Sequence, residues 1–335
     1  MGTVTLKDLS KKLDLSPSTV SRALNDHPAI SQTTKERVRE LAAELKYQPN
    51  QLARGLHRKR TQVIGVLVPE IRHDFFSAVI SGIEEIMYNA GFTIMVCQSM
   101  EDSQREIETL EAMLAHQISG LLISISENTK NNAPFISALD RGYPIVFFDR
   151  VFDNLDASCV VVDDFDGAFQ AVQHLIQSGY REIGYIGGAK NLNIQRKRLH
   201  GYKEALKENN IGINKDWIVS TGLNEKDGIT GARILLNSKK FPRAIFCIND
   251  PVAMGVYSVV REKGLRIPDD VAIIGFTDDP IVRLLDPPLS TISQPKVEMG
   301  KSAARLLLEQ ITHSEEEFVP RVVTLKTRLV VRGST

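Results

Sequence analysis

The residues best suited to recognition chemistry lie close together near the N-terminus, on the exposed side of a short predicted helix. Ser18, Ser21, Arg22 and Asn25 recur there at helical spacing, and Pro17 occupies the first helical position. Small polar side chains and an arginine at the start of a helix suit entry into the major groove of duplex DNA, where hydrogen bonds read base edges. The pattern therefore predicts a DNA-reading surface.

Helix-start signals and one shared core predict the three helices that would hold this surface. Thr5 is placed to cap a first helix, Ser16 a second and Ser31 a third. On the second helix, Val20 and Ala23 are expected to pack inward and not to read bases. The apolar positions that recur at helical spacing form one small core: Leu6, Leu9, Leu13, Val20, Leu24, Val38, Leu41 and Leu45.

Residues 49–62 form a basic segment with a weak helical pattern. Ala53 and Leu56 share one side of a predicted helix over residues 50–56, which contains Gly55. Isolated helices below roughly 12–15 residues are marginal in water, so this one needs a partner to form. A basic cluster indicates that the partner is DNA; its members are Arg54, Arg58, Lys59 and Arg60. A plain interdomain linker is the alternative.

The net charge of zero conceals an uneven distribution of charges. Residues 1–60 carry twelve Lys and Arg against six Asp and Glu, whereas the rest of the chain carries 29 against 35. A basic head on an acidic body indicates a polyanion as the partner of the head alone. The alternative for the head is a solvated basic face.

Composition argues against several classes of protein. A hydrophobic content of 42% is ordinary for a globular protein, and no apolar run reaches the ~18 residues of a membrane span. The N-terminus lacks the apolar core of a signal peptide, so we expect a cytoplasmic protein. Cys97, Cys159 and Cys247 lie far apart in apolar runs, as buried thiols do. Without a metal-spaced His/Cys cluster, a phosphate loop or a nucleophile elbow, we expect no metal, no cofactor and no catalysis.

From Val63 onward, buried strands alternate with amphipathic helices, and the pattern runs through the chain twice. This alternation predicts an α/β fold in which two doubly wound parallel sheets stack as lobes. A helix over 296–312 and strands within 319–331 would cross back and tie the lobes together. Since ligands bind beyond the carboxyl ends of such strands, the facing lobes would form a hinged cleft for a small polar molecule.

The order and spacing of several motifs resemble the LacI/GalR family of bacterial transcription regulators along nearly the full chain. The matching segments include SPSTVSRALN, ISQTTKERVRELAAELKYQPN, RTQVIGVLVP, DFFSAVISGIEE, FCINDPVAMG, PDDVAIIGF and PPLSTISQP. The resemblance implies a helix-turn-helix head, a hinge and a body like a periplasmic binding protein. The corresponding boundaries are 1–48 for the head, 49–62 for the hinge helix and linker, 63–162 plus 293–322 for the first lobe, and 163–292 plus 323–335 for the second.

The resemblance also implies a homodimer that binds double-stranded DNA at a near-palindromic operator. Pro17, Ser18 and Arg22 occupy the family's base-reading positions, with Arg22 as a bidentate guanine contact or, alternatively, a phosphate clamp. Leu56 would wedge a base step in the minor groove. Hydroxyl residues at helix starts suit phosphate contacts, with capping as the alternative: Thr5, Ser16, Thr19, Ser31 and Thr34. The predicted DNA-binding set also includes Ser21, Asn25, Asn50, Ala53 and Arg54.

A small-molecule effector in the cleft would change the angle between the lobes and thereby control DNA affinity. Phe75 and Phe76 match positions that stack on ligands in the family, although one of them could equally be a core residue. Further ligand-facing positions are Asp149, Arg198, Asn249, Asp250, Thr277 and Asp278. Arg198 could alternatively be a surface group, and Asp149 could pair with Arg150 or cap a turn.

Two departures from the family's pattern leave the identity of the effector open. Thr277 stands where the family commonly has an aspartate that clamps a sugar hydroxyl, so either Thr277 binds or Asp278 substitutes. His73-Asp74 replaces a frequent Asn-Pro. We expect a sugar or sugar derivative, with a nucleobase or an acidic metabolite as alternatives.

The expected function is that of a ligand-controlled DNA-binding regulator, and we expect it to repress transcription. A solute-binding protein of a transport system would use the same two lobes, but it would have a signal peptide and no DNA-reading head. An α/β enzyme with a DNA-binding appendage is a further alternative.

Overall fold

The computed structural model describes residues 6–24, 26–45, 61–312 and 318–335. The chain divides into an N-terminal unit that ends at Thr61, called the head below, and a larger unit that begins at Gln62, called the body. None of the helices in the described part of the chain combines the length and the apolar character that a bilayer span requires.

Three helices form the described part of the head: α1 (Leu6–Leu13), α2 (Pro17–Leu24) and α3 (Gln32–Glu44). Leu9, Val20, Ala23 and Val38 are fully buried between them, which confirms the predicted inward direction of Val20 and Ala23. Leu24, predicted to face inward, is half-buried at the margin of this core. The helices therefore hold one another through a core of only a few side chains.

The body contains twelve strands among the described residues. They are β1 (Val63–Val68), β2 (Thr93–Gln98), β3 (Gly120–Ile123), β4 (Ile145–Phe148), β5 (Ser158–Val162), β6 (Ile183–Gly187), β7 (Ile218–Ser220), β8 (Ala244–Cys247), β9 (Ala272–Thr277), β10 (Ser290–Ser293), β11 (Val322–Leu325) and β12 (Arg328–Val330). The first sheet has the order β11-β5-β4-β3-β1-β2, and the second has the order β12-β10-β9-β8-β6-β7. All neighbours pair in parallel except β10 and β12, so the predicted pair of parallel sheets is confirmed with one antiparallel edge strand.

The helices of the body follow the strands as the predicted alternation requires. They are α4 (Asp74–Asn89), α5 (Ser103–Ala115), α6 (Ala133–Asp140), α7 (Asp164–Gln177), α8 (Asn193–Glu208), α9 (Glu225–Leu236), α10 (Asp250–Glu262) and α11 (Lys296–Thr312). Short 3-10 turns cover Lys215–Trp217 and Pro280–Leu284. The predicted helix over 296–312 is confirmed at both ends, and it packs on α4 of the first lobe.

The chain passes between the two lobes three times, between β5 and α7, between β10 and α11, and between β11 and β12. The predicted boundaries need correction at two of these crossings. Ser293 still pairs with Thr277 in the second sheet, and 323–325 still pair with β5 in the first. Both corrections have the same cause. Backbone hydrogen bonds keep each strand in its sheet up to its last paired residue, so the chain can cross to the other lobe only after that residue.

Two glycines allow α4 and α11 to pack at very close range. A Cβ atom at Gly82 would overlap the carbonyl oxygen of Val297, and one at Gly300 would overlap the carbonyl oxygen of Val79. The backbones of the two helices therefore touch, and α11 is fixed to the first lobe although it follows β10 of the second. This contact makes the returning helix part of the first lobe's core.

Candidate nucleic-acid interface and ligand cleft

The exposed side of α2 carries the side chains that were predicted to read DNA. Pro17, Ser18 and Arg22 are exposed, and Ser21 is half-buried. Arg22 makes no ion pair with any described residue, so its guanidinium is available to a partner. The position of these residues agrees with the predicted surface, and their contacts with DNA stay a prediction.

Helix caps account for the hydroxyl groups near this surface. Ser16 Oγ accepts from the backbone N–H of Thr19 (3.1 Å) and lies 2.8 Å from Thr19 Oγ1. Ser31 Oγ accepts from the backbone N–H of Thr34 (3.3 Å) and lies 2.7 Å from Thr34 Oγ1. Since all four residues lie at helix starts, they combine the capping role with a position suited to phosphate.

An ion-pair cluster that the sequence did not reveal fixes the turn before α3. Asp26 has a left-handed backbone (φ 56°), and its carboxylate lies 3.1 Å from Lys35 Nζ and 2.9 Å from Arg39 Nη2. Lys35 also donates to the carbonyl of Asp26 (3.2 Å). The hydrogen bond from Lys35 holds the pKa of Asp26 below its usual value. Two basic residues of the head therefore contact the turn.

The remaining predicted DNA-binding residues lie outside the described residues. They are Thr5, Asn25, Asn50, Ala53, Arg54 and Leu56. The predicted hinge helix and its minor-groove wedge therefore stay predictions.

A cleft lies between the two lobes of the body, at the carboxyl ends of their strands. Residues of both lobes line it, and it opens to solvent at its mouth. Six of the eight predicted effector residues line it: Phe75, Phe76, Asp149, Arg198, Asn249 and Thr277. The structure therefore brings these residues together, and their ligand contacts stay predictions.

The aromatic wall of the cleft comes from the first turn of α4. Phe75 and Phe76 are both largely buried and meet edge to face, with ring centroids 5.1 Å apart. Phe76 also packs on Phe148 of β4, and the Arg150 guanidinium lies 5.7 Å from its ring. Both rings therefore pack in the core and also line the cleft, so a core role does not exclude the predicted contact with a ligand.

Arg198 projects from α8 into the floor of the cleft, and most of its hydrogen-bonding groups already have partners. Nε (2.8 Å) and Nη2 (2.7 Å) contact Asp164 Oδ1, and Nη1 donates to the carbonyl of Ile248 (2.6 Å). The guanidinium carbon lies 3.6 Å from the ring centroid of Phe276. Both members of the ion pair are almost fully buried, so the surface alternative for Arg198 is wrong.

Asn249 lines the cleft, but both the oxygen and the nitrogen of its side-chain amide are hydrogen-bonded to the backbone of the protein. Its oxygen accepts from the backbone N–H of Val252 (2.9 Å) as the N-cap of α10, and its Nδ2 donates to the carbonyl of Leu223 (2.8 Å). A sequence signal for this role was present, because Asn-Asp-Pro at a helix start is typical of an N-cap.

Asp250 and Asp278 do not line the cleft, which corrects the prediction for both. Asp250 is fully buried; its carboxylate accepts from the backbone N–H of Asp279 (2.8 Å) and from Thr291 Oγ1 (2.7 Å). Asp278 is held by Arg332 (2.6 Å) and Arg283 (3.3 Å). Strong local pairing therefore removes both carboxylates from the ligand side.

Asp279 and Gln294 line the cleft instead, and the sequence did not reveal either of them. Thr277 and Asp278 both have positive φ angles (141° and 59°), and these turn the chain so that the third residue after Phe276 reaches the cleft. Gln294 follows β10 and donates through Nε2 to Thr277 Oγ1 (3.3 Å). Thr277 therefore occupies the position of the family's usual aspartate. Gln294 is hydrogen-bonded to it, and Asp279 lines the cleft two residues later.

Hydrogen bonds join the lobes directly across the cleft. Glu127 Oε1 of the first lobe accepts from the backbone N–H of Ala189 of the second (2.9 Å), and Asn191 donates to the carbonyl of Glu127 (2.9 Å). Asn193 accepts from the N–H of Val151 (3.0 Å) and donates to the carbonyl of Asp149 (3.1 Å). The two lobes are therefore in contact across the cleft.

Sequence comparisons place the chain among known regulators. Residues 5–50 match the model for bacterial regulatory proteins of the lacI family, and residues 172–335 match the periplasmic binding protein-like domain. The ribose operon repressor of Haemophilus influenzae is 34% identical over 330 residues, which covers 98% of each chain. This chain belongs to the LacI family. It is a DNA-binding transcriptional regulator and not a solute-binding protein of a transport system.

Further relatives of this LacI-family chain agree over similar lengths. The transcriptional repressor PurR of Haemophilus influenzae is 34% identical over 314 residues, covering 93% of this chain and 92% of the relative. Among solved structures, a CelR–cellobiose complex is 28% identical with a TM-score of 0.75, and it covers 99% of this chain and 100% of that one. The lac repressor dimer bound to operator and an anti-inducer is 26% identical with a TM-score of 0.86 and covers 99% of each chain.

The carboxyl group of Asp149 gives the body of this LacI-family protein a testable pH dependence. Burial raises the pKa of Asp149 to about 6, against the partial compensation of Arg150 and Arg198. The folded pKa lies above the unfolded one of about 4, so its stabilising contribution is complete below about pH 4 and is lost as the pH rises through 6. An Asp149→Asn variant stays neutral, and it should gain unfolding free energy over the native chain as the pH rises from about 4 to 7.

Urea unfolding followed by fluorescence at three pH values would measure this gain. Trp217 is the single tryptophan and lies buried in the second lobe. The control is Asp140→Asn, which neutralises an exposed carboxyl at the end of α6. A difference for Asp149→Asn that stays flat or shrinks as the pH rises would contradict the buried, raised-pKa carboxyl.

Proposed function

We propose that the protein is a repressor that binds a near-palindromic operator as a homodimer through the exposed side of α2. The observation that carries the proposal is the arrangement of Pro17, Ser18 and Arg22, exposed on a helix whose opposite side is fully buried. A helix held in this way can enter the major groove, and Arg22 can form two hydrogen bonds to one guanine. The hinge over 49–62 would add minor-groove contacts through Leu56.

Exposed apolar side chains on the body support the homodimer. Tyr88 is 74% exposed at the end of α4, and Val96 and Met100 are exposed on or just after the edge strand β2. Leu284 is 84% exposed in the second lobe, on the turn that also exposes Ile281. Large apolar groups of this kind are commonly covered by a partner, here a second copy of the chain.

We further propose that a carbohydrate-related molecule binds in the cleft and controls operator affinity. The relatives support this class, because one is named for the ribose operon and one structure contains cellobiose. The direct contacts between Glu127 and Ala189, and between Asn193 and Asp149, would carry a change in the cleft to both lobes. A ligand shifts the lobe arrangement only by its differential affinity for the two states, typically about 1–3 kcal/mol.

The protein would act in the cytoplasm, where the operator lies, and it would not be an enzyme. The relatives support the second statement, since they are named as repressors and regulators.

An Arg22→Ala variant tests the operator-reading role. It should lose about 1–3 kcal/mol of discrimination at one base pair of each half-site, since a bidentate arginine–guanine contact carries that much. Binding-site selection from random duplexes, followed by titration of the selected operator, would measure the loss. The matched control is Arg37→Ala, which removes the same charge from an exposed position on α3. Equal weakening on all sequences by the two variants would assign Arg22 to phosphate and contradict base reading.

A further inference from the structure

The positive groups of the cleft are already neutralised by the protein itself. Arg150 Nη1 donates to both carboxylate oxygens of Glu101 (2.8 and 3.0 Å). Arg198 is paired with Asp164 at 2.7 Å. Neither guanidinium therefore offers an uncompensated charge to an anionic ligand.

Two nearly buried acceptors in the wall of the cleft have no hydrogen bond. They are Asp279 Oδ1 and Gln294 Oε1, on side chains that are 5% and 6% exposed. Gln294 is oriented by its donation to Thr277 Oγ1, which places the three residues side by side. Because a buried acceptor without a donor costs free energy, a ligand that supplied hydrogen-bond donors at this corner would relieve that cost.

The same corner and the opposite wall also carry excess negative charge. Lys296 is shared between two carboxylates, Asp74 at 2.5 Å and Asp279 at 3.6 Å, and it donates to the carbonyl of Asp278. Across the cleft, Asp149 makes a 3.9 Å ion pair with Arg150, the one ion pair that it has among the described residues, and Glu127 Oε1 accepts from Ala189. Burial raises the pKa of Asp279, Asp149 and Glu127, because a carboxylate loses solvation inside the protein.

We propose that the effector is a polyhydroxylated molecule with a protonated amino group, of the amino-sugar or aminopolyol class. Its ammonium group lies against Asp279, Gln294 and Thr277, where three acceptors match the three N–H donors. Hydroxyl groups alone would satisfy the acceptors but leave the charge uncompensated, and a phosphate or carboxylate would meet carboxylates. The inference rests on the proposed function, in which this cleft is the effector site.

Calorimetry on the full chain with matched probes tests the proposal. Each set contains a parent sugar, its amino-deoxy derivative and its phosphate, such as glucose, glucosamine and glucose 6-phosphate, with the amino group at different ring positions across the sets. At least one amino sugar should bind about tenfold more tightly than its parent, because charge-assisted hydrogen bonds are about twice as strong as neutral ones. Its phosphate should not bind. The proposal is overturned if parents bind as tightly, if phosphates bind, or if no amino sugar binds.

Asp279→Asn then assigns the preference to its residue. The variant keeps the shape of the side chain but loses its charge, so the affinity ratio of amino sugar to parent should fall close to one. The control, Asp140→Asn, should keep the native ratio. Gln294→Glu provides a second measurement, since an added carboxylate should increase the ratio. The assignment is overturned if the affinity ratio of amino sugar to parent is the same as in the native chain in both single variants, Asp279→Asn and Gln294→Glu.

Operator binding by the same preparations separates this inference from the proposed function. If the operator is bound but amino sugars have no advantage, the effector class is wrong and the regulator stands. If amino sugars are preferred but no duplex is bound in a sequence-dependent and salt-dependent manner, the effector class stands and the proposed function fails.

Discussion

An Arg198→Ala variant is expected to lose about 3–5 kcal/mol of unfolding free energy, because Asp164 would remain in the interior without its partner. Both side chains are almost fully buried, and Arg198 also bonds the carbonyl of Ile248 and stacks on Phe276. Alanine removes all of these contacts together. The measurement is urea unfolding followed by Trp217 fluorescence, which reports on the lobe that contains the pair.

The matched control is the exposed ion pair between Arg233 and Glu262, with an N–O distance of 3.0 Å. Its side chains are 55% and 62% exposed, so Arg233→Ala should cost less than about 1 kcal/mol. A double variant, Arg198→Met with Asp164→Asn, should recover most of the loss because it leaves no buried charge. Equal losses for Arg198→Ala and Arg233→Ala would contradict the structural role of Arg198.

A Leu9→Ala variant should abolish operator binding while the body unfolds as in the native chain. Leu9 is fully buried, and its truncation should cost about 2–5 kcal/mol. Only four residues of the described head are fully buried apolar groups, and so small a domain has little stability to lose. The head would therefore unfold, whereas the body, a separate unit, would retain its own core.

Two readouts on one preparation check this expectation. Titration with the operator selected by the native protein reports on the head, and Trp217 fluorescence in urea reports on the body. Glu40→Ala is the control, because it removes an exposed side chain of α3 and should leave both readouts near native. Native operator affinity in Leu9→Ala would show that the core of the head tolerates the cavity, against the expectation.

The elements were predictable wherever local chemistry marks them. Ser31 caps α3 through Thr34, and Pro17 opens α2, as their positions in the sequence indicate. Alternation of apolar strands and amphipathic helices was enough to predict two parallel sheets. The short strands β7 and β10 were not predicted, because three or four residues are too few to carry a clear period.

The lining of the cleft was less predictable, since it depends on local backbone conformations that the sequence does not specify. Asp278 and Asp279 are adjacent and chemically identical, yet only Asp279 reaches the cleft because Thr277 and Asp278 have positive φ angles. Glu101 and Glu127 reach the site from loops after β2 and β3, and no motif surrounds them. The family's ligand-facing positions located most of the cleft, whereas the three-dimensional structure was needed to distinguish acceptors with partners from those without.

The three crossings between the lobes limit the kind of motion that is available to the body. After the last paired or helical residue, only one or two residues remain at each crossing: 163, 294–295 and 326–327. A residue spans at most about 3.6 Å, so the lobes cannot translate apart at these points. The lobes can therefore move only by rotating about the crossings, and an atom moves further the more distant it is from them. The far rims of the cleft must therefore travel much further than the floor, so a small rotation produces a large displacement at the outer surface of each lobe.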